Sequence, residues 1–572
     1  MEVKVIFVLA AVAAVAQTPE AAFQSRCATC HNVGNLLGAP PPETLRKMSS
    51  KAILAALETG RMSSIGAGLT AAERQLVAKI GSGEPSVSVA RCTGTPRSNG
   101  EWNGWADAAN TRFAKSSGLT PQTVPKLKVK WAFGFPGATT AFGNPSVTGG
   151  RVFVGDANGV VYALDARTGC TYWSYNAAAG VRAAPVVGGQ SVFLGDLRGN
   201  VYALNLVTGA LLWKVRADDH PMTVITGSPK LDAGRLYVPL SGRDESIAAI
   251  NPSYECCTFR GSVVALDSSS GKRIWQAYTI RDEPKVTGQN AKGTKTSGPS
   301  GAVPWSSPTL DTKARVLYIG TGVNYSNPPT DTSDAILAFD MDTGRLLWSR
   351  QLTAADSYNF ACGAEDNTNC PKLPFVDYDF GHSPVLRNRV LFAGDKGGTV
   401  YALDADQRGK LLWKQKIASG GVNGGFMWGA ASDDQVAYIG ISDFTPGKPE
   451  IGGGLVAFQL KTGEKLWMTP APKPACIGTP GCSAAQPAPV TAIPGVAFLG
   501  SSDGHLRAYE TAKGGIIWDF DTARDFQTVN GANAHGGSII STGAVVAGGM
   551  LYVTSGYGGN GMPGNVLLAF SR

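Results

Sequence analysis

The stretch Val161-Tyr162-Ala163-Leu164-Asp165-Ala166-Arg167-Thr168-Gly169-Cys170-Thr171-Tyr172-Trp173 reads as a strand, a tight turn and a second strand. Apolar residues alternate on the way in, as one buried face of a strand requires, and Gly169 gives the turn its backbone freedom. Trp173 closes the unit with a large flat surface on which a neighbour can pack. The pattern recurs at 201–213, 263–275, 336–348, 400–413, 455–467 and 506–518. Hairpins repeated at this period predict a mainly β fold of four-stranded blades around an axis, a β-propeller. Two half units remain. Residues 127–131 end in Trp131 without a lead strand, and residues 566–570 are a lead strand without turn or Trp. Joined, they make an eighth blade and close the ring without an open edge.

The chain has 572 residues, and length alone suggests several domains. The repeat instead assigns residues 101–572 to one eight-bladed propeller. The net charge of +8 is spread thinly and forms no dense Lys/Arg run, which argues against a nucleic-acid partner. Residues 1–16 carry Lys4, an apolar run to Val15, and Ala14-Val15-Ala16 before Gln17. That pattern predicts a cleaved secretory signal and a periplasmic protein. The run is shorter than the ~20 residues of a span, so no stable membrane span is expected. Ten cysteines suit an oxidising compartment. Cys362 and Cys370 bracket a short loop, as do Cys476 and Cys482, and each pair is expected to form a local disulfide. Cys92 and Cys170 remain and could tie the linker to the first blade. Cys256 and Cys257 are adjacent.

Residues 17–83 read as a small all-α unit, and residues 84–100, rich in Gly, Ser and Pro, as a linker. The unit contains Cys27-Ala28-Thr29-Cys30-His31, the attachment motif of haem c. Its two thiols bind the haem vinyl groups and His31 reaches the iron. Met62 is the candidate sixth ligand, since a thioether there raises the haem potential, and Met48 is its rival. The unit resembles a short class-one cytochrome c.

Most blades share a second pattern, a short segment ending in Pro before an inner strand, then a Gly-Asp-x-x-Gly turn. Residues just before those prolines should gather at one mouth of the axial channel. They include Arg182, Thr226, Trp305, Asp377, Asp379 and His382, which predicts one axial site. The turn of the fifth blade reads Gly394-Asp395-Lys396-Gly397-Gly398, and Lys396 beside those carboxylates reads as a cofactor contact.

With these segments in view, the chain resembles the PQQ-dependent quinohaemoprotein alcohol dehydrogenases, especially the polyvinyl-alcohol-oxidising type with its cytochrome unit first. Shared segments include Cys256-Cys257-Thr258-Phe259-Arg260-Gly261, Asp379-Phe380-Gly381 and the closing run 547–570. The resemblance implies pyrroloquinoline quinone (PQQ) on Trp305 as floor, with Thr226 and Arg260 beside it and Lys396 bonded to the quinone carbonyls. It implies a Cys256–Cys257 disulfide over the other face. A trans peptide would set those Cα atoms ~3.8 Å apart, below the usual disulfide range. It implies Ca²⁺ held by Glu245, with Glu255 as the other count, by Asn324 and by the catalytic Asp. Asp377 is the expected base, followed by Asp379 and then Asp356.

The parts imply one chemistry. A carboxylate takes the alcohol proton, the quinone takes two electrons, and haem c passes them singly to an external cytochrome c. The substrate would be a secondary alcohol, polymeric in the type resembled. Two other readings stand beside it: a dehydrogenase of small alcohols or sugars, and a non-enzymatic scaffold propeller.

Overall fold

Every Thr-Gly turn in the repeat has a tryptophan beneath it. A Cβ on Gly169 would stand 2.8 Å from the ring of Trp131, and one on Gly209 would stand 2.6 Å from Trp173. The same holds for Gly271 on Trp213, Gly344 on Trp275, Gly409 on Trp348, Gly463 on Trp413 and Gly514 on Trp467. Each turn glycine also has positive φ, such as +75° at Gly169 and +72° at Gly209. Glycine is thus required twice over, for conformation and for close approach. The indole N–H completes the link. Trp131 donates to the Ala166 carbonyl, Trp173 to Leu206, Trp213 to Ser268 and Trp275 to Met341.

This interlock joins eight antiparallel blades, seven of four strands and blade three with a fifth short strand, in the computed structural model, which describes residues 18–28, 31, 42–46, 48–58, 62–81, 91–98, 100–372 and 376–572. The expected signal segment 1–16, Cys30 and residues 84–90 of the linker lie outside the described residues. Blade one comprises Ser146–Thr148, Arg151–Gly155, Val160–Asp165 and Thr171–Asn176. Blade three is built on Arg235–Gly242 and Ser262–Asp267, blade four on Val316–Gly320 and Ala335–Asp340, and blade five on Val390–Gly394 and Thr399–Asp404. Blade eight is the split one. Lys128–Gly134 pairs antiparallel with Val566–Ser571, which pairs with Met550–Ser555. The inner and middle strands are almost wholly buried, whereas an outer strand such as Leu211–Arg216 is half exposed.

The segment 102–113, whose role the repeat left open, runs across the axis. Trp102 bridges to Val147 of blade one and Phe113 to Ala492 of blade seven, and between them the carbonyls of Ala108, Ala109 and Thr111 accept from blades four, five and six in turn. Arg112 is buried between the rings of Trp102 and Trp105. It donates to the carbonyls of Trp105, Val490 and Ala544 and to Thr491 Oγ1. Burial lowers its pKa to about 9 and leaves it cationic at neutral pH. Lys230 Nζ donates to the Ala106 and Asp107 carbonyls. One end of the channel is therefore plugged by backbone whose polar groups are satisfied from the blades.

Before the blades lie short helices, Pro19–Arg26, Pro42–Arg46, Ser50–Glu58, Ser63–Ala67 and Ala71–Ala78. Ala71–Ala78 begins with a reciprocal capping box between Thr70 and Glu73. They share a core of Phe23, Cys27, Leu45, Met48, Ile53, Leu57 and Val77, against which Met62 packs. His31 is buried beside Phe23. The unit touches the propeller where Arg198 donates to the Glu58 carbonyl. Gly137 also lies under Ala52 and Ser49, with no room beyond van der Waals contact for a Cβ.

The disulfides Cys92–Cys170, Cys362–Cys370 and Cys476–Cys482 all form. Cys256 and Cys257 are bonded to each other across a cis peptide, with Cα atoms 3.0 Å apart instead of the trans spacing expected from the sequence.

Candidate active site

A cavity of 380 Å³ opens at the unplugged end of the axis. Its floor is Trp305, flanked by Met427 and by Trp428, whose ring meets Trp305 edge-on at 4.8 Å. Trp305 is fixed from three sides. Its carbonyl accepts from Thr226 Oγ1 at 3.0 Å, and its indole N–H donates to Asp379 Oδ2 at 3.1 Å. Gly381 lies so close that a Cβ there would fall 1.8 Å from the ring.

The charged wall comes from the turn of blade five and the segment before it. Lys396 Nζ donates to Asp377 Oδ2 at 2.7 Å and to Asp379 Oδ2 at 3.1 Å. The ammonium is buried, which alone would lower its pKa, but Asp377, Asp379 and Glu245 outweigh burial and hold it protonated. Asp379 is fully engaged, since its Oδ1 also accepts the Val323 N–H at 2.7 Å. Asp377 is not, for among the described residues Lys396 bonds its Oδ2 and its Oδ1 accepts no hydrogen bond. Burial pushes Asp377 up to about 7; Lys396 opposes this and Asp379 adds to it. Asp377 has φ +56°. Asp356 pins the backbone on both sides of it, accepting from the N–H of Val376 and of Tyr378 at 3.1 Å each. Asp356 is thereby committed to the loop and is a poor candidate for the base.

Glu245 enters from the first turn of the helix Asp244–Ile250 and lines the cavity. Burial, Asp379 and Asp377 push it up to about 8. Glu255, the other count, is exposed and faces Lys295. Thr226, Trp305, Glu245, Asp379 and Lys396 thus meet at one cavity, with Asp377 directly behind Lys396.

Asn324, Arg260, Cys256, Cys257 and His382, also expected there, do not line the cavity. The Asn324 amide oxygen accepts the Thr330 N–H, and its amide donates to the Ser300 carbonyl, so this side chain is turned away from the cavity. Val323 lies between Gly322 and Asn324, and its N–H meets Asp379 while the next residue faces the other way. Arg260 also points elsewhere. It lies over the Tyr278 ring at 4.0 Å and donates to the Ile280 and Arg281 carbonyls on the outer side of blade three. The Cys256–Cys257 pair is buried with Ala248, Phe259, Tyr325 and Tyr358 in a cluster against which Trp305 packs. It is not among the residues lining the cavity.

Arg182 reaches the cavity as its place before a blade proline predicts, and it brings in contributors that had no signal in the repeat. Arg182 lies over the Trp428 ring at 4.1 Å and donates to Tyr557 Oη, bringing blade eight into the wall. Arg243 and Phe360 line the mouth. Asp334 is fully buried with neither carboxylate oxygen hydrogen-bonded among the described residues. Burial and then Asp379 and Asp356 raise its pKa well above the usual carboxylate range. Its one sequence mark is its place immediately before the lead strand of blade four.

The donor set has a definite chemistry. Three carboxylates, Glu245, Asp377 and Asp379, face one ammonium, and two of them are forced toward the proton-bound form. Hard oxygen donors suit a hard cation, but among the described residues no three carboxylates close on one point, and the Lys396 ammonium already occupies the space between Asp377 and Asp379. An aromatic floor with Arg182, Arg243 and Lys396 around it suits a flat anionic ring system.

Comparison with known proteins supplies the family. Residues 120–328 and 332–570 match the family model PQQ_2, described as outer membrane protein assembly factor BamB. That match covers the blades, whereas two curated relatives match over 96% of this chain. One is a polyvinylalcohol dehydrogenase of Pseudomonas sp., 38% identical and covered over 93% of its length. The other is a polyvinylalcohol dehydrogenase of Sphingopyxis sp. (strain 113P3), 36% identical and covered over 92%. Among solved structures, quinohemoprotein alcohol dehydrogenase ADHIIG from Pseudomonas putida HK5 matches with a TM-score of 0.63 at 18% identity. That match covers 83% of this chain and 80% of that one and is a likeness of fold. Blades, aromatic floor and matches together put this chain in the polyvinylalcohol dehydrogenase family of PQQ-dependent alcohol dehydrogenases.

Proposed function

We propose that this enzyme is an exported, periplasmic quinohaemoprotein that oxidises secondary alcohol groups of polyvinyl alcohol or a similar chain. In this reading it uses PQQ, Ca²⁺ and a haem c of its own, and passes electrons to an external cytochrome c. The observation that carries the reading is Lys396, wedged between Asp377 and Asp379 at the edge of a cavity floored by Trp305.

Trp305, Arg182, Arg243 and Lys396 are the residues that would hold PQQ, and Glu245 and Asp379, which line the cavity, with Asp377 behind them, would offer oxygens to the cation. PQQ, when bound, would supply a two-electron acceptor, and the cation would supply Lewis-acid polarisation. Asp377 is the base of this reading; its Oδ1 is the oxygen left over, since Oδ2 is tied to Lys396, which stands between it and the cavity. Its raised pKa of about 7 suits proton transfer near neutrality. Lys396, held protonated, donates to an oxygen at the cavity wall and keeps Asp377 oriented. Asp379 steadies Trp305 and the Val323 backbone. Met427, Trp428 and Phe360 limit the entry of water.

Haem c at Cys27, Cys30 and His31 is supported by a buried imidazole, a thiol and two thioethers arranged around one helical core. That core docks on the propeller at Glu58 and Arg198. Met62 remains the sixth ligand of choice. Met62→Ala should lower the haem potential in a redox titration and Met48→Ala should not, and the reverse result reassigns the ligand.

The principal test reconstitutes purified protein with PQQ and Ca²⁺ and follows haem absorbance on addition of polyvinyl alcohol, isopropanol or a sugar. Reduction by the polymer and by isopropanol is expected. Reduction by sugars alone would move the substrate class, and absence of covalent haem would remove the cytochrome reading.

A further inference from the structure

We propose that a pocket on the outer side of blade three, around Tyr278 and Arg260, binds a neighbouring stretch of a hydroxyl-bearing chain whose reacting unit lies in the axial cavity. The proposal rests on the polymer-substrate reading above.

The pocket has a volume of 210 Å³ and is lined by Asp218, His220, Thr258, Arg260, Tyr278 and Glu283, among others. None of these lines the axial cavity. Polar groups of both kinds crowd it. His220 Nε2 lies 3.0 Å from Thr258 Oγ1, and the buried Asp218 carboxylate accepts from Gln276 and from Tyr278 Oη. The Arg260 guanidinium, on the Tyr278 ring, lies 3.9 Å from Glu283. Two carboxylates against one guanidinium, with a hydroxyl and an imidazole between them, give no strong field of one sign. Such a wall suits a ligand whose groups both donate and accept, which is what a neutral hydroxyl does. Tyr278 is 37% exposed and His220 stands edge-on to Phe259 at 5.2 Å, so apolar surface for methylenes is available between the polar groups.

The pocket and the cavity share walls. His220 belongs to the pocket, whereas Val224 and Thr226 on the same segment line the cavity. The four residues from His220 to Val224 can span at most about 14 Å. Thr258 and Phe259 of the pocket donate their backbone N–H groups to Asp244, the neighbour of Glu245 in the cavity wall. A small alcohol reaches the cavity alone, while a chain occupies both spaces. Contacts made by non-reacting units then favour the polymer without altering the reacting centre.

The test compares wild type with Tyr278→Ala and with Glu283→Ala. The latter removes an 83% exposed side chain and spares the fold. The reconstituted proteins are assayed with polyvinyl alcohol and with isopropanol. Migration of each protein is also followed in native gels cast with and without polyvinyl alcohol, which reads binding without turnover. The expected result for Tyr278→Ala is a KM for the polymer raised about tenfold, less retardation in the gel, and isopropanol kinetics within about twofold of wild type. Glu283→Ala should shift in the same direction by less. Unchanged polymer KM and unchanged retardation in both variants would overturn the subsite. Equal losses on polymer and isopropanol would also overturn it, because the residues would then serve fold or chemistry. If wild type oxidises isopropanol but neither oxidises nor binds the polymer, the substrate reading is what fails, and the subsite falls with it.

Discussion

The turns Gly195–Gly199 of blade two and Gly394–Gly398 of blade five are built alike. In each, an Asp at the second position accepts a backbone N–H four residues on and a tyrosine hydroxyl, Tyr202 in one and Tyr401 in the other. Each ends in a glycine of positive φ, +74° at Gly199 and +84° at Gly398. The residue after the Asp lines the axial cavity in both. In blade two it is Leu197, an inert wall, and in blade five it is Lys396, bound to two carboxylates. The repeat therefore supplies a fixed address at the cavity, and a single residue at that address changes scaffold into chemistry without any change of backbone.

The sharpest way to break this comparison is at the partners of Lys396. Asp377→Asn keeps shape but removes the basic lone pair. It should slow reduction of bound PQQ by ~10²–10⁴-fold in stopped flow, with PQQ and haem retained. Asp379→Asn should mainly weaken Ca²⁺ binding and be partly rescued by added Ca²⁺. If instead Asp377→Asn reduces PQQ at the wild-type rate, the base lies elsewhere. Changes on the scaffold side should do the opposite. Gly209→Ala forces a Cβ to 2.6 Å from Trp173 at a φ of +72°. It should cost ~1–3 kcal/mol in urea unfolding and leave kcat of the remaining folded enzyme unchanged.

The smallest effect per pH unit comes from the carboxylates themselves. Glu245 is pushed up to about 8 and Asp377 to about 7, first by burial. The unfolded chain releases these protons near ~4, so the folded state binds more protons between that pH and about 8. The Tm of the metal-free protein should therefore fall as pH rises through this window. Glu245→Gln should flatten the trend, and so should saturating Ca²⁺. The reconstituted enzyme should gain rate as pH rises through about 7, where Asp377 becomes able to accept a proton.

The repeat was legible because its physics is local. Gly169 and Trp131 are read correctly from single turns, and the closure of Lys128–Gly134 on Val566–Ser571 follows from two half units needing each other. Trp305, Lys396 and the Asp377–Asp379 pair were legible because they interrupt that repeat. Asn324 and Arg260 were misplaced because counting from a motif does not reveal which side of an extended segment a residue faces. A shift of one residue reverses it. Trp428 and Tyr557 carried little signal, since each is brought to the cavity by a different blade and looks ordinary in its own.

The bond between Cys92 and Cys170 gives the helical unit a second attachment. Main chain joins it to the propeller through residues 93–127, while the sulfur bridge joins it to the turn beneath which Trp131 lies. A single protease nick in that stretch should therefore not release the unit. It would stay on blade one, at the side of the ring where Glu58 meets Arg198, until a reductant opened the bridge. The helical unit and the propeller would then remain one molecule after their peptide connection was lost.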